Sequence, residues 1–310
     1  MVILNVNHLE DRKMAHQPHI PVMAHEVTSF LTLRPEACFL DCTLGLGGHA
    51  ALLAKQLGPQ GRLVGIDRDK ESLAVAEQKL KSYPCQHIFV HDDFRHIDTI
   101  LASLHITKVD GILMDLGISS FQLADSSRGF SFQADGPLDM RINQESFVSA
   151  YDLINSLSER ELSTILKNYG QERWHHRIAR YLVEQRAKSP IQTTRELRDA
   201  VLRAMPRMRN RQKIDPATRT FQAFRIAVNR ELESLEMALS KIPRFLKPGA
   251  RLCVIAFHSL EDRIVKQKMR TFSHQNVMSL VVKKPLRPTQ AECALNPRAR
   301  SARLRVAQKV

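Results

Sequence analysis

A glycine turn set between an apolar strand and a helix constrains this chain more than any other feature. The segment reads Asp41-Cys42-Thr43-Leu44-Gly45-Leu46-Gly47-Gly48-His49-Ala50. Gly45, Gly47 and Ala50 fit the spacing G-x-G-x-x-G/A, in which glycines permit a tight turn and a close backbone approach to a ligand. A strand over 37–41 precedes the turn, and a helix over 49–57 follows it, stopped by Gly58-Pro59. Asp67 closes a second strand, over 62–67, 22 residues after Gly45. A carboxylate at that distance accepts hydrogen bonds from the ribose of a bound nucleoside. Turn, helix and acid in register predict a nucleoside cofactor.

The alternation continues through helices over 70–81 and 97–105 and strands over 86–91 and 109–116, with a helix over 20–33 leading in. Such β-α repetition predicts a mostly parallel sheet with helices on both faces. Four strand ends then carry Asp41, Asp67, Asp93 and Asp115, with Phe94 beside the third. Each acid alone reads as a helix N-cap. Together they lie where open α/β sheets bind ligands, outside the carboxyl ends of the strands. A dinucleotide needs a free helix N-terminus for its pyrophosphate. S-adenosyl-L-methionine has no phosphate and needs polar groups at the first strand end, where Asp41 and His49 stand. The four acids favour a methyltransferase. An NAD(P)-dependent Rossmann oxidoreductase is the alternative that explains Gly45, Gly47 and Asp67 equally well.

Between about 125 and 218 the strand signal disappears, and helices are expected over 150–157, 159–168, 172–188 and 194–204. One helix over 221–240 and strands over 251–257, 277–283 and 302–306 follow. The expected organisation is a methyltransferase core over 1–124, a helical insertion for substrate recognition over 125–218, and the rest of the core over 219–310. Charge matters here: Lys plus Arg is 46 against 32 Asp plus Glu, a net +14. Residues 261–310 hold 12 of the cations and only 3 of the acids. A second cluster comprises Arg203, Arg207, Arg209, Arg211, Lys213 and Arg219. Cations placed near phosphates release condensed counterions, so a polyanionic partner is expected. No apolar run approaches the roughly 18 residues of a membrane span. The N-terminus lacks a charged start followed by an apolar stretch, so no secretory signal is expected. The expectation is a cytoplasmic protein with no membrane partner. The five cysteines are odd in number and lack a C-x-x-C pair, which predicts free thiols and no metal site. The oligomeric state is not legible.

These residues resemble the bacterial 16S rRNA (cytosine N4)-methyltransferase family, RsmH, also called MraW. The resemblance runs from His19-Ile20-Pro21-Val22 almost to the C-terminus. It rests on Thr43 to His49, Gly65-Ile66-Asp67-Arg68-Asp69, and Asp110 to Ser120. It rests also on Arg128-Gly129-Phe130-Ser131-Phe132, Gly136 to Arg141, Pro216 to Ala223, Phe257 to Lys266, and Asn296-Pro297-Arg298-Ala299-Arg300-Ser301. The resemblance implies a class I S-adenosylmethionine-dependent methyltransferase fold, Rossmann-like, with an inserted all-helical domain. It implies methylation of N4 of a cytidine in the decoding centre of 16S rRNA, within the small ribosomal subunit. It implies cofactor contacts at Gly47, Gly48, His49, Asp67, Phe94, Asp115 and Gln122. Asp215 departs from the family, which often has His there, and the segment after Arg270 is short.

The turn Asp115-Leu116-Gly117-Ile118 is the expected holder of the target amine, with Asp115 accepting its hydrogen bonds. Asp139 and His258 are second-rank candidates at the substrate site. Arg141 is expected to hold a phosphate, against the alternative of a local Asp139–Arg141 ion pair. His258 reads slightly better as a structural histidine than as a catalytic one. Arg207, Arg209, Arg211 and Lys213 join Arg141 as RNA-binding candidates. Phe130, Phe132 and Trp174 read better as packing residues than as stacking platforms. The competing functional class is a non-catalytic RNA-binding or ribosome-assembly factor that has kept a cofactor pocket.

Overall fold

A computed structural model describes residues 20–206 and 215–310. The first half alternates as the sequence predicts. It runs α1 (Ala24–Phe30), β1 (Cys38–Asp41), α2 (Gly48–Ala54), β2 (Arg62–Asp67), α3 (Lys70–Leu80), β3 (Gln86–His91), α4 (Ile97–Ser103) and β4 (Val109–Asp115). A short helix, α5 (Ser120–Ala124), leads into helices α6 (Ala150–Ser156), α7 (Glu159–Gly170), α8 (His175–Arg186) and α9 (Thr194–Ala204). Then follow α10 (Thr218–Asn229), α11 (Glu231–Lys241), β5 (Leu246–Ala256), α12 (Ser259–His274), β6 (Met278–Leu280), α13 (Gln290–Leu295) and β7 (Arg303–Lys309).

The sheet order is β3-β2-β1-β4-β5-β7-β6. β1 to β5 run parallel, and β7 lies antiparallel between β5 and β6. The fold is α/β, in the Rossmann-like class I methyltransferase arrangement. Its central strands are apolar throughout because both sheet faces are covered. Side chains alternate faces at period two. Phe39, Leu63, Leu113, Cys253 and Ile255 meet α1, α2 and α3 on one side. Leu40, Val64, Ile112, Met114 and Val254 meet α4, α11 and α12 on the other.

A third core lies outside the sheet and joins Phe130, Leu138 and Met140 to the apolar faces of α6 to α9. α10 adds Phe221, Ala223 and Phe224 to it, although these residues lie beyond the expected 125–218 insertion. Capping boxes at Ser149, Ser158 and Thr193 start α6, α7 and α9, each giving a backbone N–H a side-chain acceptor. The single helix expected over 221–240 is two helices. Arg230 takes φ 49° between them, and the buried Asn229 amide binds Met140 O, Arg225 O and Ile142 N. The strand expected over 251–257 starts earlier, with Lys247-Pro248-Gly249 inside β5, whose pairing with β4 shifts register between Val109 and Gly111. The helix α12 was not anticipated.

Candidate active site

A cleft of about 580 Å3 opens where β1, β2 and β4 end. The strand order reverses between β1 and β4, which is where doubly wound sheets bind ligands. One wall comes from the strand ends and the glycine turn, the other from α10, the Phe130–Gln133 loop and the C-terminal segment.

The strand-end wall builds itself from short-range hydrogen bonds. Asp41 is buried, and its Oδ1 accepts from Thr43 N at 3.0 Å. Thr43 Oγ1 in turn accepts from Asp115 N at 2.6 Å, tying the ends of β1 and β4 together. Asp67 Oδ2 accepts from Gly45 N at 2.6 Å and Oδ1 from Asp69 N at 2.9 Å. Asp67 therefore shapes the glycine turn while lining the cleft. Burial pushes the Asp41 carboxyl up to about 7, with Asp115 and Asp67 adding to it against the opposing Thr43 hydrogen bond and His49. Burial likewise raises Asp67 to about 6, against the hydrogen bonds from Asp69 and Gly45.

Gly47 caps α2 with φ 69°, and a Cβ there would come within 3.3 Å of Ala76 Cβ and Leu80 Cδ1. The turn thus presents Gly48 and His49 to the cleft, while Gly47 itself lies behind. His49 is buried, and Nε2 sits 3.5 Å from Asp115 Oδ2 without forming a hydrogen bond. Neither His49 nitrogen nor Asp115 Oδ1 has a hydrogen-bond partner among the described residues. Buried polar atoms are rarely left unpaired, so three of them on one wall mark a place where a polar ligand binds. Together with Asp67 and Phe94, they fit S-adenosylmethionine, and a Cβ on Gly47 would disturb the turn that carries them.

The opposite wall holds a polar network that sequence reasoning did not single out. Arg225 Nε and Nη2 donate to the two oxygens of Glu231 at 2.9 and 2.8 Å. Glu261 is buried, and its Oε2 accepts from Phe257 N at 2.8 Å. Burial opposes the Glu261 charge, but His258 and Arg225 outweigh it and hold the carboxyl below its usual range. His258 is the N-cap of α12, with Nδ1 accepting from Glu261 N and Nε2 3.1 Å from Glu261 Oε1. Ligand atoms of Glu231, His258 and Glu261 lie within 4.8 Å of one another, but Arg225 and the Phe257 N–H already occupy the carboxylates. Phe132 packs edge-on against Phe221 at 4.9 Å beside this network.

The structure gathers Gly48, His49, Asp67, Phe94, Asp115 and Gln122 along one cleft. Gln122 donates to Asp69 Oδ2 at 2.7 Å and accepts from Ser119 N at 3.0 Å, so its amide is committed to bracing the turn after β2. Asp93 does not line the cleft. It pairs with Arg95 at 2.8 Å and accepts from Ser234 Oγ at 2.9 Å. Asp139 and Arg141 also lie outside the cleft and hold each other in a two-pronged ion pair at 3.0 and 2.6 Å. The local ion pair is thus the reading the geometry favours for them. His258 does not line the cleft either, but braces Glu261, which does. Arg207, Arg209, Arg211 and Lys213 lie outside the described residues. Asp215 pairs with Arg198 at 2.8 Å. Phe130 is buried in the helical core and Trp174 packs against it. All five cysteines are free. Among the described residues no helix is long and apolar enough to cross a membrane.

The family model for MraW methylases matches residues 16–310. The "Ribosomal RNA small subunit methyltransferase H" of Clostridium botulinum (strain Kyoto / Type A2) is 44% identical over 307 residues, covering 94% of this chain and 99% of that protein. The protein of the same name from Geotalea uraniireducens is 46% identical over 307 residues, covering 94% and 98%. Sheet order, cleft and sequence agree: the chain belongs to the MraW methylase family.

Proposed function

We propose that this protein transfers a methyl group from S-adenosylmethionine to N4 of a cytidine in the decoding centre of 16S rRNA, acting on the small ribosomal subunit in the cytoplasm. The observation that carries the reading is the unpartnered Asp115 Oδ1 beside the unpartnered His49 nitrogens, at the end of β4 and on the wall of the cleft. Relatives named as small-subunit rRNA methyltransferases support the substrate class.

S-adenosylmethionine supplies an electrophilic methyl on a sulfonium when bound. The chain's own task is alignment, because the N4 lone pair of cytosine is delocalised into the ring and attacks poorly unless oriented. Asp115 is placed to accept a hydrogen bond from the amine and turn its lone pair toward the methyl. Its backbone is pinned by Thr43, so the carboxylate is preorganised. Gly48, His49, Asp67 and Phe94 hold the cofactor, with Gln122 and Gly47 fixing the turns beneath. The target base must leave its stack to reach Asp115. The wall carrying Phe132, Phe221 and Phe257 gives it an apolar surface. The amine proton departs after transfer, so no strong base is required. Asp115→Asn keeps the shape and removes the charge. Single-turnover methylation is expected to fall at least about 100-fold, with cofactor affinity changed less than about fivefold. Full turnover in this variant would remove Asp115 from the role.

A further inference from the structure

The arginine Arg298 stands in the C-terminal wall of the cleft, and its guanidinium forms no ion pair or hydrogen bond with the described residues. Its loop is held firmly. Asn296 Oδ1 accepts from Arg298 N, Asn296 Nδ2 donates to Ile20 O at 3.1 Å, and Glu292 Oε1 accepts from Met23 N at 2.6 Å. Burial pushes the Arg298 guanidinium below its usual range, with no carboxylate among the described residues to counter it. The side chain is half-buried, and a cation partly withdrawn from water at the rim of a ligand cleft, with no acid beside it among the described residues, marks a place for an arriving anion.

The surroundings extend that anion site. Phe257 and Ser301 line both the cleft and an adjoining slot of about 150 Å3, which is walled further by Ser259, Arg287, Arg300 and Arg303. The three acids of residues 261–310 are all engaged elsewhere. Glu261 is held by the Phe257 N–H and His258, Asp262 by Arg303 and Arg305, and Glu292 by Met23 N. Arg287 and Arg300, like Arg298, have no acidic partner among the described residues.

We propose that Arg298, continued by Arg300 and Arg287, is a phosphodiester-binding track for the RNA strand beside the target nucleotide. This rests on the reading of the protein as an rRNA methyltransferase. A guanidinium fork matches a phosphate oxygen pair in geometry as well as charge. By gripping the backbone next to the flipped base, Arg298 acts as a positioning residue: it touches substrate away from the reacting atoms.

The test uses the full chain, with Arg298→Gln, Arg298→Lys and a remote cation control, Lys55→Gln. Oligocytidylate binding is measured across a salt series, cofactor affinity by calorimetry, and methylation on unmethylated small ribosomal subunits. Thermal melting checks that each variant folds. For Arg298→Gln the expected results are a roughly tenfold rise in KM for subunits, with kcat and cofactor affinity nearly unchanged. The slope of log K against log salt should be shallower by about 0.7. Arg298→Lys should restore the slope, and Lys55→Gln should match the native protein. An unchanged KM and salt slope in Arg298→Gln would overturn the track. So would weakened cofactor affinity with intact RNA binding, which would give the anion as the cofactor's carboxylate. Absence of methylation by the native protein would count against the proposed reaction alone, because the salt slopes test the track without turnover.

Discussion

Asp41 shows how one side chain links the fold to its chemistry. Its carboxyl is buried at the end of β1 and titrates near 7, against an ordinary value of 3.8. A carboxyl whose folded pKa is raised loses stability as pH climbs from the unfolded value toward the folded one, and the full cost is present above both. Asp41→Asn keeps the acceptor for Thr43 N without the charge. Its expected gain in unfolding free energy is near zero at pH 4 and on the order of 2–4 kcal/mol at pH 8. Denaturant melts at the two pH values check this, and a gain independent of pH would contradict it. Residue roles were unevenly legible in the sequence. Asp67 and Asp115 could be read because a strand end fixes where a side chain emerges. Asp93 could not be distinguished from them, since its partners Arg95 and Ser234 lie on a following turn and on α11. Glu261 had a local signal, standing three residues after His258 in a capping-box spacing that the sequence reading passed over.

At the scale of elements, turn chemistry decided most boundaries. Gly47 must adopt φ 69° against α3, so Gly47→Ala combines left-handed backbone strain with a tight contact. It is expected to cost roughly 1–2 kcal/mol and to weaken cofactor binding by displacing His49. Calorimetric melting and titration check both effects, and an unaffected affinity would separate the turn from the site. The break between α10 and α11 was hidden from periodicity, because α10 and α11 carry one continuous amphipathic pattern. Arg230 interrupts it only because Asn229 is drawn to the loop at 140–142. Asn229→Ala strands the Ile142 N–H and Met140 C=O in a buried setting. A loss of about 2–3 kcal/mol is expected, since unpaired buried groups carry their full desolvation cost. A loss under about 0.5 kcal/mol in denaturant melts would show that the tie is dispensable.

On the scale of the whole molecule, the sheet supplies one wall of the cleft and the helical unit with the C-terminal segment supplies the other. Alternation of strands and helices made the sheet readable. The second wall was not, because Arg225, Glu231, Glu261 and Arg298 come together only after α11 packs against α10 and α12 and the C-terminus folds back on Ile20–Met23. Arg128 shows the same dependence on tertiary structure. It is fully buried and reaches Ile142 O at 2.8 Å and Asp69 Oδ2 at 3.4 Å, joining the helical unit to the end of β2. The excess of cations in residues 261–310 signalled a polyanion in advance, and the structure puts three of those cations along the cleft and its adjoining slot without acid partners among the described residues.

The most direct test is methyl transfer from labelled S-adenosylmethionine to small ribosomal subunits from cells lacking this protein, followed by digestion of the rRNA and mass spectrometry of its nucleosides. The expected result is label in N4-methylcytidine, abolished or strongly reduced in Asp115→Asn. Label in another nucleoside, or none from a protein that demonstrably binds the cofactor, would contradict the proposed reaction.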